Sequence, residues 1–337
     1  MTKTIANISF SEHPVFLAPM EDVTDPVFRW LCKKYGVDLM FTEFISADGL
    51  VHGAKKGFEK LTISDDERPV AIQLYGKNVE SLVEAAKIAE QAGPDIIDLN
   101  FGCPVKKIAT KGAGAGMLRN LPLLYEITEK VASAVKIPVT VKTRLGWDYK
   151  SIVINEVAEK VQNLGAQALT IHARTRVQMY KGVAEWAHIK SVVDNEKVKI
   201  PIIGNGDIDS AIKAKQAFDK YKVDAIMVGR ASIGRPWIFK EIKHYLATGE
   251  LLPEPSIKEK VEVARIHFEK SLSDKFLRRA IVQMRRHYVN YFKGVPGIKP
   301  LRIKVLQADT PEDVFKTLNE IEYNFGDYIV DRTKFTD

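Results

Sequence analysis

From Val15 to about Tyr245 this chain repeats one unit eight times: a short run rich in β-branched residues, a turn, then a helical stretch. The runs are VFLAP (15–19), LMFTE (39–43), VAIQL (70–74), DIIDLN (95–100), VTVKT (139–143), ALTIH (168–172), PIIGN (201–205) and AIMVG (225–229). Apolar residues at helical spacing occupy 85–92, 123–135, 152–164 and 212–221 between them. Pro69, Pro138 and Pro201 stand just before strands, where a missing amide donor does little harm. Alternation of this kind requires parallel strands joined by helical crossovers, and eight units predict an α/β fold, a closed (β/α)8 TIM barrel. An open doubly wound sheet, which usually holds fewer strands, comes second.

After about Leu252 the pattern changes. Pro253 and Pro255 punctuate a linker, no strand-like run follows, and 258–276, 278–292 and 311–324 read as helices. The expected organisation is a catalytic barrel over 10–250 and an all-helical domain over 251–337. Between Ser256 and Val305, 13 Lys and Arg face 4 Asp and Glu, whereas Leu306–Asp337 carries 3 against 8. A basic stretch that concentrated suggests a polyanionic partner, although a solvated helix face would look the same. On the second helix Ile281, Met284, Tyr288, Tyr291 and Phe292 share one arc, while Arg278, Arg279, Arg285 and Arg286 share another. The apolar arc is expected to pack inward and leave four guanidinium groups outside for phosphate contact.

The strand ends carry the chemistry. They finish in Pro19-Met20, Glu43, Gln73, Asn100, Lys142, His172, Asn205 and Gly229-Arg230, and a barrel brings such ends to one mouth, where barrel enzymes react their substrates. Beyond Asn100 a Gly-Cys-Pro turn places the thiol of Cys103 at this rim, a candidate acid or nucleophile. Cys32, inside a helical pattern, reads as a small buried hydrophobe. Gly204, Gly206 and Gly229, with Arg230, have the form of the phosphate site that barrels build after strands seven and eight. Lys142 sits among apolar neighbours, where an unpaired ammonium is costly. A Schiff base, a phosphate ligand, a donor to an electron-rich ring and a structural ion pair all remain open for it.

Several classes are disfavoured. Two cysteines 71 positions apart make no disulfide framework, which favours a reducing cytoplasm. No apolar run approaches a membrane span, and no signal-peptide pattern or obligate protein partner is evident. His172 has no HxH or HExxH companion, so no metal is expected. KGAGAGM (111–117) is not GxGxxG and follows its strand too late for a dinucleotide turn. Lys106, Lys107 and Lys111 make that loop basic, so that it would gate the site or touch a phosphate backbone.

APMEDVTDPVFR (18–29), DLNFGCPVKKI (98–108), VTVKTRLGWD (139–148), ALTIHARTR (168–176), IIGNGDI (202–208) and VGRASIGRPWIF (228–239) together resemble the dihydrouridine synthases, most closely their B-type bacterial branch. The motifs fall in the family's order across nearly the whole barrel. The resemblance implies an FMN-dependent oxidoreductase that reduces the C5=C6 bond of uridine in tRNA with electrons from NADPH. Carried over position by position, Pro19, Met20 and Glu21 would line the flavin, and Gln73, Lys142 and His172 would contact its ring. Asn205, Gly206, Asp207, Gly229 and Arg230 would hold its phosphate. Cys103 would donate the proton, with Asn100 beside the base. Lys107 and the four arginines of the second C-terminal helix would meet the tRNA. Glu21 replaces the family's usual alanine, and Gly112 a bulkier residue.

The residue types suit this reaction. Hydride delivery to C6 of uracil leaves C5 in need of a proton, and a thiol with the ordinary pKa of about 8.5 carries one at neutral pH. Unstacking the uridine costs a few kcal/mol, which phosphate contacts from the basic helices would offset. The alternative reading is an FMN-barrel oxidoreductase acting on a small pyrimidine such as dihydroorotate. Deletion of 253–337 is expected to separate the two.

Overall fold

The computed structural model describes residues 2–332. Eight parallel strands form the barrel: β1 (Val15–Leu17), β2 (Leu39–Phe41), β3 (Val70–Tyr75), β4 (Ile96–Phe101), β5 (Val139–Arg144), β6 (Leu169–His172), β7 (Ile202–Asn205) and β8 (Ala225–Val228). β1 pairs with both β2 and β8, so the sheet closes on itself. Each strand answers one of the eight runs in the sequence. The outer helices are α1 (Pro26–Lys34), α2 (Val79–Gln91), α3 (Leu121–Ala134), α4 (Ile154–Asn163), α5 (Trp186–Val193), α6 (Ala211–Tyr221) and α7 (Ile238–Thr248). Asp25, Asn78, Asn120 and Ser210 cap four of them through side-chain oxygens that accept first-turn amides, which fixes where each helix starts.

Alternation along the strands divides the barrel interior into two levels. The lower level is apolar: Phe16, Leu39, Phe41, Ala71, Ile96, Ala168, Ile203, Ala225 and Met227 pack together, and Ile5 and Phe10 join them. Those last two come from a hairpin, Lys3–Ile5 with Ile8–Phe10, which the sequence pattern did not announce. Two residues further along the strands, the same inward-facing rows bring up Gln73, Asp98, Thr140, Lys142, Thr170 and Asn205. A dry floor thus lies beneath a polar layer at the carboxyl ends, the end where the cavity opens.

Four helices follow: α8 (Ile257–Asp274), α9 (Leu277–Tyr291), α10 (Lys299–Gln307) and α11 (Pro311–Phe325). Ser256 and Glu259 form a capping box at the start of α8. Ile257, Val261, Phe268, Met284, Tyr288, Tyr291, Leu318 and Ile321 bury one another in a core separate from the barrel's. α5 and α10 are not among the stretches read as helices, α5 because it is short, while Pro300 stands in the first turn of α10, where a proline is tolerated. Residues 333–337, the end of the expected helical domain, lie outside the described residues. The seam with the barrel is polar as well as aromatic. Phe28 of α1 stacks on His267 and lies tilted against His287, and half-buried Lys275 donates to Asp25 at 2.7 Å.

Candidate active site

One chain of hydrogen bonds runs from the barrel interior to the thiol. Asp98 accepts from Thr140 Oγ1 (2.6 Å) and from Gln73 Nε2 (2.6 Å). Gln73 Oε1 accepts from Asn100 Nδ2 (2.7 Å), and Asn100 Oδ1 accepts the amides of Gly102 (3.0 Å) and Cys103 (2.9 Å). The turn that carries Cys103 is therefore set by a side chain of the strand before it. It is also backed from below. Gly114, at φ +54°, lies so close that a Cβ there would come 2.9 Å from the Cys103 carbonyl, and the Ala115 amide donates to that same oxygen. Of the glycines of KGAGAGM, Gly114 thus packs against Cys103 and Gly116 against the Ala109 backbone. Lys106, Lys107 and Lys111 of this loop are exposed.

A cavity of about 680 Å³ opens at the mouth. Its walls include Pro19, Met20, Lys142, His172, Asn205, Gly206, Asp207, Gly229 and Arg230, nine of the eleven residues expected at a cofactor. The other two lie elsewhere. Gln73 is wholly buried behind Asn100, and Glu21 is exposed on the rim, where Lys60 pairs with it at 2.6 Å. Glu21, Asp22 and Glu43 approach one another within 4.8 Å, with Lys60 and Arg286 among them. Asn100 and Lys142 are register neighbours on β4 and β5. Cys103, three residues past Asn100, is buried at the same rim and feels the charges of Lys142 and Arg144.

Gly204 plays a different part from the one expected. The space where its Cβ would stand is filled by the Trp186 ring, which would lie 2.4 Å away, so this glycine admits a side chain of the barrel wall and no ligand. Gly206 and Gly229 do reach the cavity. Gly206 has φ +129° and lies against Ala184 and His172, which makes it a position for glycine alone. Asp207 does not point a free carboxylate at a ligand. It is clamped by Arg174 through two bonds (2.8 and 2.7 Å), by the Ala184 amide (2.8 Å) and by Arg230 (3.3 Å).

These neighbours set the charge states. Burial raises Asp98 to about 7, with Gln73, Thr140 and Lys142 pulling the other way. Burial lowers Lys142 to about 8, aided by Arg144, while Asp98 resists; its Nζ donates to Asn205 Oδ1 at 3.2 Å. Burial and then Arg144, Lys142 and Arg174 hold His172 well below its usual value, so this imidazole is neutral at pH 7. Burial raises Cys103 above the ordinary thiol value, although the Val105 amide and Arg144 favour the thiolate. Burial would also raise Asp207, but the bonds from Arg174 and Ala184 outweigh it and keep the carboxylate ionised. The mouth thus presents a neutral imidazole, a weakly held ammonium proton and a protonated thiol.

Sequence reasoning overlooked several residues here. Arg144 donates to the carbonyls of Gly102 (2.8 Å), Thr175 (3.0 Å) and Met179 (2.7 Å), tying the loops after β4 and β6 to the end of β5. Tyr180 lies between Arg144 (5.5 Å) and Arg230 (4.9 Å) on the cavity wall. Arg144 and Arg174 alternate with Lys142 and His172 at the strand ends, and that two-residue step was the available signal. The loop bearing Tyr180 offered none.

The four arginines of α9 do not form one free face. Arg279 pairs with Glu59 (2.8 Å) and Arg286 with Asp22 (3.3 Å), both on the barrel, and Arg285 pairs with Asp309 (3.2 Å). Only Arg278 of the four is exposed with no ion pair among the described residues. Beside it, Phe276 and Leu277 stand 83% and 53% exposed at the α8–α9 turn.

The sequence model described as dihydrouridine synthase matches residues 16–325, barrel and helices together. The chain belongs to the dihydrouridine synthase family. It is 40% identical over 309 residues to the probable tRNA-dihydrouridine synthase of Rickettsia bellii, covering 91% of this chain and 94% of that one. It is 39% identical over 298 residues to tRNA-dihydrouridine synthase B of Xanthomonas campestris pv. campestris, covering 88% and 89%. Such likeness places it in the B-type bacterial branch, among oxidoreductases. A solved structure of histamine dehydrogenase from Rhizobium aligns with a TM-score of 0.57 at 16% identity, over 72% of this chain and 47% of that one, and shares the barrel. No described helix is long and apolar enough to cross a membrane.

Proposed function

We propose that this dihydrouridine synthase reduces the C5=C6 bond of uridine in tRNA, with FMN as its cofactor and NADPH as its reductant. The observation that carries the reading is a buried, protonated thiol at the same mouth as a lysine-lined cavity with a glycine-and-arginine end. The donor set suits FMN. Lys142, held by Asn205 Oδ1, offers N–H groups to the oxygen and nitrogen edge of an isoalloxazine, and neutral His172 accepts or donates there. Gly206, Gly229 and Arg230 take the phosphate. Bound flavin would supply hydride to C6 of the uracil.

The protein's own residues do the rest. Asn100 fixes the Cys103 turn through the amides of Gly102 and Cys103, and Cys103 Sγ delivers its proton to C5 as charge develops there. Because burial keeps the sulfur protonated, that proton is present throughout the neutral range. Arg144, held to three carbonyls, keeps the loops around the thiol in register and adds positive potential at the rim. Arg278, Phe276 and Lys107, all exposed, would meet RNA phosphates and an unstacked base.

The test is direct. Undermodified tRNA, full-length protein, FMN and NADPH should together yield dihydrouridine by nucleoside mass spectrometry. Reduction of free orotate or uracil derivatives, with tRNA untouched, would replace this reading by the small-pyrimidine one.

A further inference from the structure

The cavity is not walled by the barrel alone. Asn290 near the end of α9, Lys293 just past it, and Val330 and Arg332 from the segment after α11 line it together with Gly229 and Arg230. Gly234 shows how the loop after β8 and α9 come so close. Its φ is +64°, and a Cβ there would lie 2.6 Å from the His287 carbonyl, 2.7 Å from the Tyr291 nitrogen and 2.8 Å from Asn290 Cβ. Backbone packs on backbone at this point, so the position of the β8 loop is set by α9.

The cations at this end differ in what they have left to give. Arg332 is held by Glu254 at 2.7 Å, and Arg235 by Glu241. Arg230 shares Asp207 with Arg174. Lys293 is exposed and pairs with no carboxylate among the described residues.

Resting on the FMN reading above, we infer that the helical segment is part of the cofactor site, with Lys293 supplying positive charge to the flavin phosphate alongside Arg230. Cofactor retention and the docking of α9 on the barrel are then linked, since an anion that draws in Lys293 also favours the docked arrangement.

Titration of full-length apoprotein with FMN and with riboflavin, which has the same ring and no phosphate, tests this. Lys293→Gln should weaken FMN binding about tenfold and leave riboflavin binding as it was, with the gap between them narrowing at high salt. Lys293→Glu should weaken FMN binding further still. Lys293 lies on the surface, so both variants should fold. An unchanged FMN affinity, or equal losses for the two flavins, would overturn the role of Lys293. Wild-type protein that binds neither flavin would overturn the functional reading itself, and this inference with it.

Discussion

At the barrel mouth, polar side chains bond mainly to one another. On α9, arginines bond to carboxylates brought from distant segments. Asp98, Gln73, Asn100 and the Cys103 turn form one connected set inside the barrel, each member bonded to a neighbouring strand or to the strand it follows. Arg279, Arg285 and Arg286 find theirs in Glu59, Asp309 and Asp22, from 24 to 264 positions away in the chain. Strand register dictates the first arrangement. Tertiary docking decides the second, and most of the basic charge on α9 holds the molecule together.

The largest effect that can break this contrast is at the thiol. Cys103→Ala should lower uridine reduction by about 10²–10⁴-fold, with flavin content and its bleaching by NADPH unchanged. Equal turnover in variant and wild type would remove the sulfur from the reaction. In the wild type, the single-turnover rate should stay flat from pH 6 to beyond the ordinary thiol value of about 8.5, because burial delays loss of the proton. An earlier fall would show an acidified thiol.

The next effect is on stability. A carboxyl raised to about 7 when folded stays protonated where the unfolded chain ionises, so folding loses support as pH climbs. The loss begins near pH 4, is complete by about pH 7, and amounts to roughly 4 kcal/mol from this one group. Asp98→Asn should flatten that part of the stability curve in chemical denaturation. An identical pH profile would mean that Asp98 is ionised throughout.

The smaller effects lie on α9 and separate its arginines. Arg278→Ala should weaken tRNA binding and lower its salt slope by about 1. Arg286→Ala should leave the slope alone and cost no more than about 1 kcal/mol of stability, as for an exposed pair. Equal changes in slope would mean that the pairing with Asp22 yields to RNA.

How far the sequence could be read follows the same line. Proline positions and β-branched runs located all eight strands, because parallel strands are marked by local chemistry. The clustering of Lys142, His172, Asn205 and Arg230 followed from closure of the barrel. Gly204 was misjudged because a glycine looks the same whether its neighbour is a ligand or Trp186. The arginine face was misjudged because helical spacing reports direction and not the partner met there. The same gap affects the deletion of 253–337. That cut removes Lys293 and a wall of the cavity together with the basic helices, so lost activity would not distinguish a tRNA substrate from a free pyrimidine. Arg278→Ala is the cleaner instrument.

The amino-terminal hairpin gives the barrel a stopper. With Ile5 and Phe10 packed into its lower end, the cavity at the carboxyl ends is the way to the polar layer among the described residues, and the proposed flavin seat stands in it. Trimming residues 2–10 would give the barrel a back entrance, and the first residue to register the leak would be Asp98, its carboxyl relaxing toward the acidity it has in water.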